Sequence, residues 1–253
     1  MVFELDGRVT LVTGGGGARV GTGAGIAQIL AAQGAVVAVN DRYEDAAERT
    51  AAAITAAGGT ALAFVFDVRD PAAVDAGVGR ICDQFGPIDV LVNSAGGGAQ
   101  ASFREMDADH WKRIVDLNLF GVVNCTRAVL ESMCERRWGR IITIASSAAF
   151  QGGNIGVSAY GAGKAGAVGF TRQLAVEVAP FGVTANCIAP ALVRGEHVSP
   201  TEAARDTSHL SVPPVGRIGR PEDLGALCVY LASEEASWVT GQTIHINGGA
   251  YTT

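Results

Sequence analysis

Seven short runs of apolar, often β-branched residues punctuate the chain: 9–13, 35–39, 61–66, 88–92, 140–144, 183–188 and 242–246. Most are apolar nearly throughout rather than alternating, which fits strands buried on both faces. The stretches between them are longer and helix-forming. They predict helices over 26–33, stopped by Gly34, and over 44–57, alanine-rich and ended by Gly58 and Gly59. Pro71 opens a third helix over 71–85, and Asp107 caps a long fourth over 107–136. A fifth covers 158–179, ending before Pro180, and a last one covers 222–231.

Strand and helix alternate from one end to the other. That order predicts an α/β fold, a doubly wound parallel sheet of about seven strands with helices on both faces. No linker or internal repeat interrupts it, so residues 1–253 are expected to form one domain. Residues 194–215 depart from the pattern. They are polar and broken by Pro200, Pro213 and Pro214, and they follow the sixth strand, where a mobile lid over substrate is expected. In such sheets ligands bind beyond the carboxyl ends of the strands, so the residues just after each strand carry the functional question.

Composition narrows the classes. Apolar residues make up 48% and charged residues 17%, enough for a large core and unlike a disordered chain. The net charge of −6 and the lack of a basic run argue against nucleic acid as a partner. No apolar stretch approaches the ~20 residues of a membrane helix, and the N-terminus lacks a basic-then-apolar signal. Cys82, Cys125, Cys134, Cys187 and Cys228 are scattered, without a Cys-x-x-Cys pair, and read as reduced, buried thiols of a cytoplasmic protein. The four histidines are equally dispersed, so no His/Cys metal site is expected.

Three features carry candidate chemistry. A glycine-dense loop, 14–25, joins the first strand to the first helix. Glycine lets backbone approach a pyrophosphate and a helix N-terminus favours its charge, so Gly14, Gly21 and Gly23 point to a nucleotide; the alternative is a tight turn without a ligand. Asp41 ends the second strand, where an acid binds the ribose hydroxyls of NAD; it could instead cap the next helix. Arg42 and Arg19 could hold a 2′-phosphate and leave NADP open. Tyr160 and Lys164 are four apart, hence on one helical face. An ammonium beside a phenol lowers its pKa from about 10, towards proton transfer at neutral pH. Ser146 and Ser147 follow the fifth strand, where a hydroxyl could hold a substrate oxygen. A Tyr-x-x-x-Lys pair by itself is common and could be an ordinary surface pair.

Taken in order, Thr13-Gly14 with Gly21-x-Gly23, Asp67-Val68, Asn93-x-Ala95-Gly96, Asn118 between two leucines, the serine pair, Tyr160-x-x-x-Lys164 and Pro190 form one pattern. So do the segments 216–223, 240–242 and 247–249. Over nearly its whole length the chain resembles the short-chain dehydrogenase/reductase family. The resemblance implies a Rossmann fold, a nicotinamide cofactor, a small alcohol or ketone as substrate, and a homotetramer with interfaces on the helices 107–136 and 158–179 and the segment 240–253. It implies Tyr160 as general acid/base, Lys164 on the nicotinamide ribose, a serine orienting the substrate oxygen, and Asn118 supporting a water next to Lys164. Asn118 could instead satisfy backbone. Asp67 and Val68 would flank adenine, Asn93 would steady the turn beside the cofactor, and Pro190 and Val193 would lie by the nicotinamide.

The chain departs from the family pattern in three places. The glycine loop is three residues longer than usual. Aligned from the strand the catalytic serine is Ser146, counted back from Tyr160 it is Ser147, and the strand favours Ser146. The threonine usual after strand six is absent from 190–195. The function expected is an NAD-dependent interconversion of a secondary alcohol and a ketone. The alternative is an NADPH-dependent 3-oxoacyl-[acyl-carrier-protein] reductase. Val176 stands where such reductases often carry an arginine, while Arg136 and Arg137 keep that reading open.

Overall fold

A computed structural model describes residues 3–17, 21–98, 100–152, 155–194 and 213–252. All seven expected strands form: β1 Val9–Thr13, β2 Val36–Asp41, β3 Thr60–Val65, β4 Val90–Asn93, β5 Gly139–Ile144, β6 Val183–Pro190 and β7 Thr243–Ile246. They make one sheet in the order β3-β2-β1-β4-β5-β6-β7, every pair parallel. The chain leaves β1 for β2 on one side and returns for β4 on the other, so the strand order reverses between β1 and β4. A crevice opens beyond the carboxyl ends at such a point.

Helices cover both faces. α1 Thr22–Ala32, α2 Glu44–Ala56 and α7 Pro221–Ala232 bury Ile26, Leu30, Ile54 and Leu224 against Val12, Val37, Val92 and Ile142. On the other face, α3 Pro71–Phe85, α5 Gly121–Glu135 and α6 Ser158–Val178 bury Val74, Ile81, Val129, Met133 and Leu174 against Leu11, Leu91 and Ile141. Neighbouring strand residues such as Leu91 and Val92 go to opposite cores because side chains alternate along a strand.

The helix expected over 107–136 forms as one continuous helical run from 108 to 135, with a π turn inside it: α4 Ala108–Val115 leads through Asp116–Phe120 into α5. The π turn turns the Asn118 carboxamide inward, where it donates to the Ile114 carbonyl at 2.9 Å. One expectation needs correction. The five cysteines are all free, but only Cys125, Cys187 and Cys228 are buried. Cys82 and Cys134 are half-buried, because each sits one residue past a buried position, Ile81 and Met133, and is turned about 100° off that stripe. The lid expected over 194–215 falls almost entirely on residues 195–212, outside the described residues, as does the position of the missing threonine. No described helix is long and apolar enough to cross a membrane, and no described cluster of His, Cys, Asp or Glu could hold a metal ion.

Candidate active site

β1 ends at Thr13, and the loop beyond it is knitted to the end of β4. The Thr13 hydroxyl accepts from the amides of Ser94 and Ala95, each at 3.1 Å. Gly23 lies in the first turn of α1, and a Cβ there would stand 2.3 Å from the Gly14 carbonyl oxygen, so only glycine permits this approach. Residues 18–20 of the lengthened loop lie outside the described residues. Gly17 and Gly21, on either side of 18–20, come so close that a Cβ on Gly17 would lie 2.7 Å from the Gly21 nitrogen. Among the described residues no side chain caps the N-terminus of α1 at Gly21, which leaves its amides for an anion.

Two cavities meet over this loop. One, of about 360 Å³, is bordered by Gly14, Gly23, Ser146, Tyr160, Lys164 and Val193. Pro190 also borders it; β6 ends there, and Val193 bridges to Gly219. The other, of about 230 Å³, is bordered by Asp41, Arg42, Tyr43, Asp67 and Val68. Gly14, Gly17, Ser94 and Gly96 border both, so one cleft runs across the point where the strand order reverses. Its length, its open helix N-terminus and its acid at the far end fit a dinucleotide.

Asp41 is not the cap of α2, whose N-cap is Tyr43. Its Oδ2 accepts from the Gly17 amide at 3.3 Å and its Oδ1 from the Tyr43 amide at 3.1 Å. An ionised carboxylate has about four acceptor positions, so lone pairs remain for hydroxyl donors in the cavity. Asp67 is held by Arg69, whose Nε and Nη2 lie 3.0 Å and 2.5 Å from its two oxygens. That pairing keeps its carboxyl below the usual range.

At the other end, Lys164 is 3% exposed and donates to the Ile144 carbonyl at 2.6 Å. Burial pulls its pKa from 10.5 to about 8. Tyr160 was expected to be lowered by Lys164, and it is not. Burial raises the phenol, and a hydrogen bond with Ser146 is the opposing influence. The ammonium lies 5.9 Å from the centre of the tyrosine ring and points to backbone. Ser146 borders the cavity with Tyr160, whereas Ser147 starts a short 3-10 turn and does not border it.

Asn118 clamps the loop after β4. Its Nδ2 donates to the Gly97 carbonyl at 2.7 Å, and its Oδ1 accepts from the Gly97 amide at 3.1 Å. Gly96, part of the sequence pattern but given no role there, sits between two of the expected site residues. A Cβ on it would meet Lys164 Nζ at 2.8 Å and Asn118 Oδ1 at 2.9 Å. Asn93 is buried and borders neither cavity; its amide donates to Thr126 Oγ1 on α5, and Thr13 steadies the turn in its place. Arg136 and Arg137 lie at the far edge of the sheet. Arg136 pairs with Asp89 before β4 and Arg137 donates to the Pro180 carbonyl before β6. The length of β5, about 17 Å at 3.3 Å per residue, separates that edge from Tyr160.

The profile of the family described as Enoyl-(Acyl carrier protein) reductase matches residues 16–251. The chain is 36% identical over 249 residues to the 3-oxoacyl-[acyl-carrier-protein] reductase of Vibrio cholerae, covering 98% of this chain and 99% of that protein. It is 40% identical to the short-chain reductase protein NovJ of Streptomyces niveus, over 95% and 93% of the two chains. Among solved structures, a gluconate 5-dehydrogenase from Burkholderia cenocepacia in complex with NADP and tartrate is similar with a TM-score of 0.87 at 32% identity, over 98% of this chain and 96% of that one.

Proposed function

The chain belongs to the short-chain dehydrogenase/reductase family, and from that premise we propose an NAD-linked enzyme that interconverts a secondary alcohol and its ketone. It is an NAD(P)-dependent oxidoreductase acting on CH–OH and C=O groups. The finer reading rests on one observation: the carboxylate of Asp41 borders the far cavity. A carboxylate there accepts from ribose hydroxyls and repels a 2′-phosphate.

A bound nicotinamide supplies or takes up the hydride. The chain's part is to hold the cofactor between Asp41 and Val193, and to manage the proton. Tyr160 gives or receives the proton at the substrate oxygen, and Ser146, which borders the same cavity, orients that oxygen. Lys164, fixed on Ile144, borders the same cavity and would hold the nicotinamide ribose. Asn118 fixes the loop after β4 at Gly97, and Gly96, lacking a side chain, leaves room for Lys164 beside it. Phe103, Phe150 and Ile155 wall a third cavity, of about 600 Å³, beside the first turn of α6, which favours a substrate with an apolar substituent.

The second reading, a reductase of 3-oxoacyl thioesters on a carrier protein, is supported by the relative from Vibrio cholerae. It has less support from the surface. Val176 is exposed and apolar, and Arg136 and Arg137 are committed at the opposite edge. We also propose a homotetramer, for which the exposed Phe120, Val176 and Phe181 around α5 and α6 supply apolar contact area. Initial rates with secondary alcohols, ketones and 3-oxoacyl thioesters, each with both cofactors, test the reading. A higher kcat/KM with NADP overturns the cofactor assignment. Thioester reduction far outpacing every simple ketone overturns the substrate class.

A further inference from the structure

Arg42 follows Asp41 directly and borders the same cavity. A free guanidinium there would suit a 2′-phosphate, which it can grip with two parallel N–H donors. Arg42 is not free. Its Nη2 donates to the Tyr43 hydroxyl at 2.6 Å, and its guanidinium carbon lies 4.6 Å from the centre of the Tyr43 ring. One neighbour thus holds it by a hydrogen bond and a cation–π contact together. The tyrosine is itself anchored. Its amide donates to Asp41 Oδ1, and its carbonyl accepts from the Ala46 and Ala47 amides at 3.2 Å as α2 begins. Arg69, just past β3, is bound in two places to Asp67.

We propose that Tyr43 determines cofactor specificity by sequestering Arg42, so that the ribose meets the Asp41 carboxylate without competition from Arg42; Arg19, the other arginine expected to hold a 2′-phosphate, lies outside the described residues. The proposal rests on the NAD reading above and names how this chain enforces it. Releasing Arg42 should favour a 2′-phosphate modestly, since an exposed cation–π contact with one hydrogen bond corresponds to about a three- to tenfold change in affinity.

The test is calorimetric titration of the full chain with ADP and with adenosine 2′,5′-bisphosphate, ligands that carry no nicotinamide and need no turnover. Relative to ADP, Tyr43→Ala should bind the bisphosphate about three- to tenfold more tightly than the wild type does. Tyr43→Phe, which keeps the ring and loses the hydroxyl, should fall between. Adding Arg42→Ala to Tyr43→Ala should return the ratio to the wild-type value or below. Arg42→Ala alone should leave the ratio within twofold, and this variant decides the matter even if Tyr43→Ala does not fold. The proposal is overturned if Tyr43→Ala leaves the ratio unchanged, if its gain survives the loss of Arg42, or if Arg42→Ala alone weakens the bisphosphate severalfold. The NAD reading is judged separately, by the wild-type ratio itself. A wild type that binds the bisphosphate more tightly than ADP refutes that preference, while the effect of Tyr43 is still read from the variants.

Discussion

The Asn118 carboxamide and the Gly97 peptide hold each other in both directions, Nδ2 to the carbonyl at 2.7 Å and Oδ1 to the amide at 3.1 Å. The same Nδ2 reaches the Ile114 carbonyl, so one side chain joins the loop after β4 to the π turn beneath it. π turns inside helices often mark functional positions. Replacing Asn118 by Ala removes all three bonds from a buried site. The expected loss is roughly 2–4 kcal/mol of stability, with a fall in kcat above tenfold, read by urea unfolding and steady-state rates. Wild-type values in both would show the clamp to be dispensable.

Tyr160→Phe removes the single oxygen assigned to proton transfer and keeps the ring. Turnover should fall by about 10²–10⁴, the usual contribution of a positioned acid or base. Cofactor affinity, measured by fluorescence titration, should stay within about twofold. Turnover within tenfold of the wild type would assign the proton to another group.

Gly96→Ala tests how tightly the site is packed. The added methyl meets Lys164 Nζ and Asn118 Oδ1 at under 3 Å, so both must give way. The expected outcome is a folded protein with kcat reduced more than tenfold and cofactor binding weakened. Near wild-type kinetics would mean that Lys164 shifts without consequence.

Lys164 carries a stability cost whose pH dependence has a definite sign. Its pKa is lowered from 10.5 to about 8 by burial, so between those values the unfolded chain binds the proton that the folded chain has released. Stability owed to this group therefore rises with pH across that window, and the cost of the buried ammonium is complete below about pH 8. Lys164→Met lacks the cost. Its stability relative to wild type should be highest near pH 7 and should decline by an amount on the order of 3 kcal/mol by pH 10.5, at 1.36 kcal/mol per unit. Chemical denaturation of both proteins across the range checks this, and a difference that is flat with pH would refute it.

Much of the molecule could be read along the chain. The apolar runs give seven strands, the alternation with helices gives a parallel sheet covered on both faces, and Gly14, Gly23, Asp41, Ser146, Tyr160 and Lys164 all border one cleft at its carboxyl edge. These features are legible because each depends on a local period or on a position just after a strand. Which groups meet across the fold was settled by strand order, which no period encodes. β1 lies beside β4, so the Thr13 hydroxyl steadies the turn at Ser94, 81 residues away, in the place expected for Asn93. β5 lies beside α6, so Lys164 spends its ammonium on Ile144 and does not lower Tyr160. The fold of Arg42 onto Tyr43, the π turn at Asn118 and the placing of Arg136 at the far edge arise likewise from the competition of each side chain for partners and for burial. That competition is resolved only once the elements have packed.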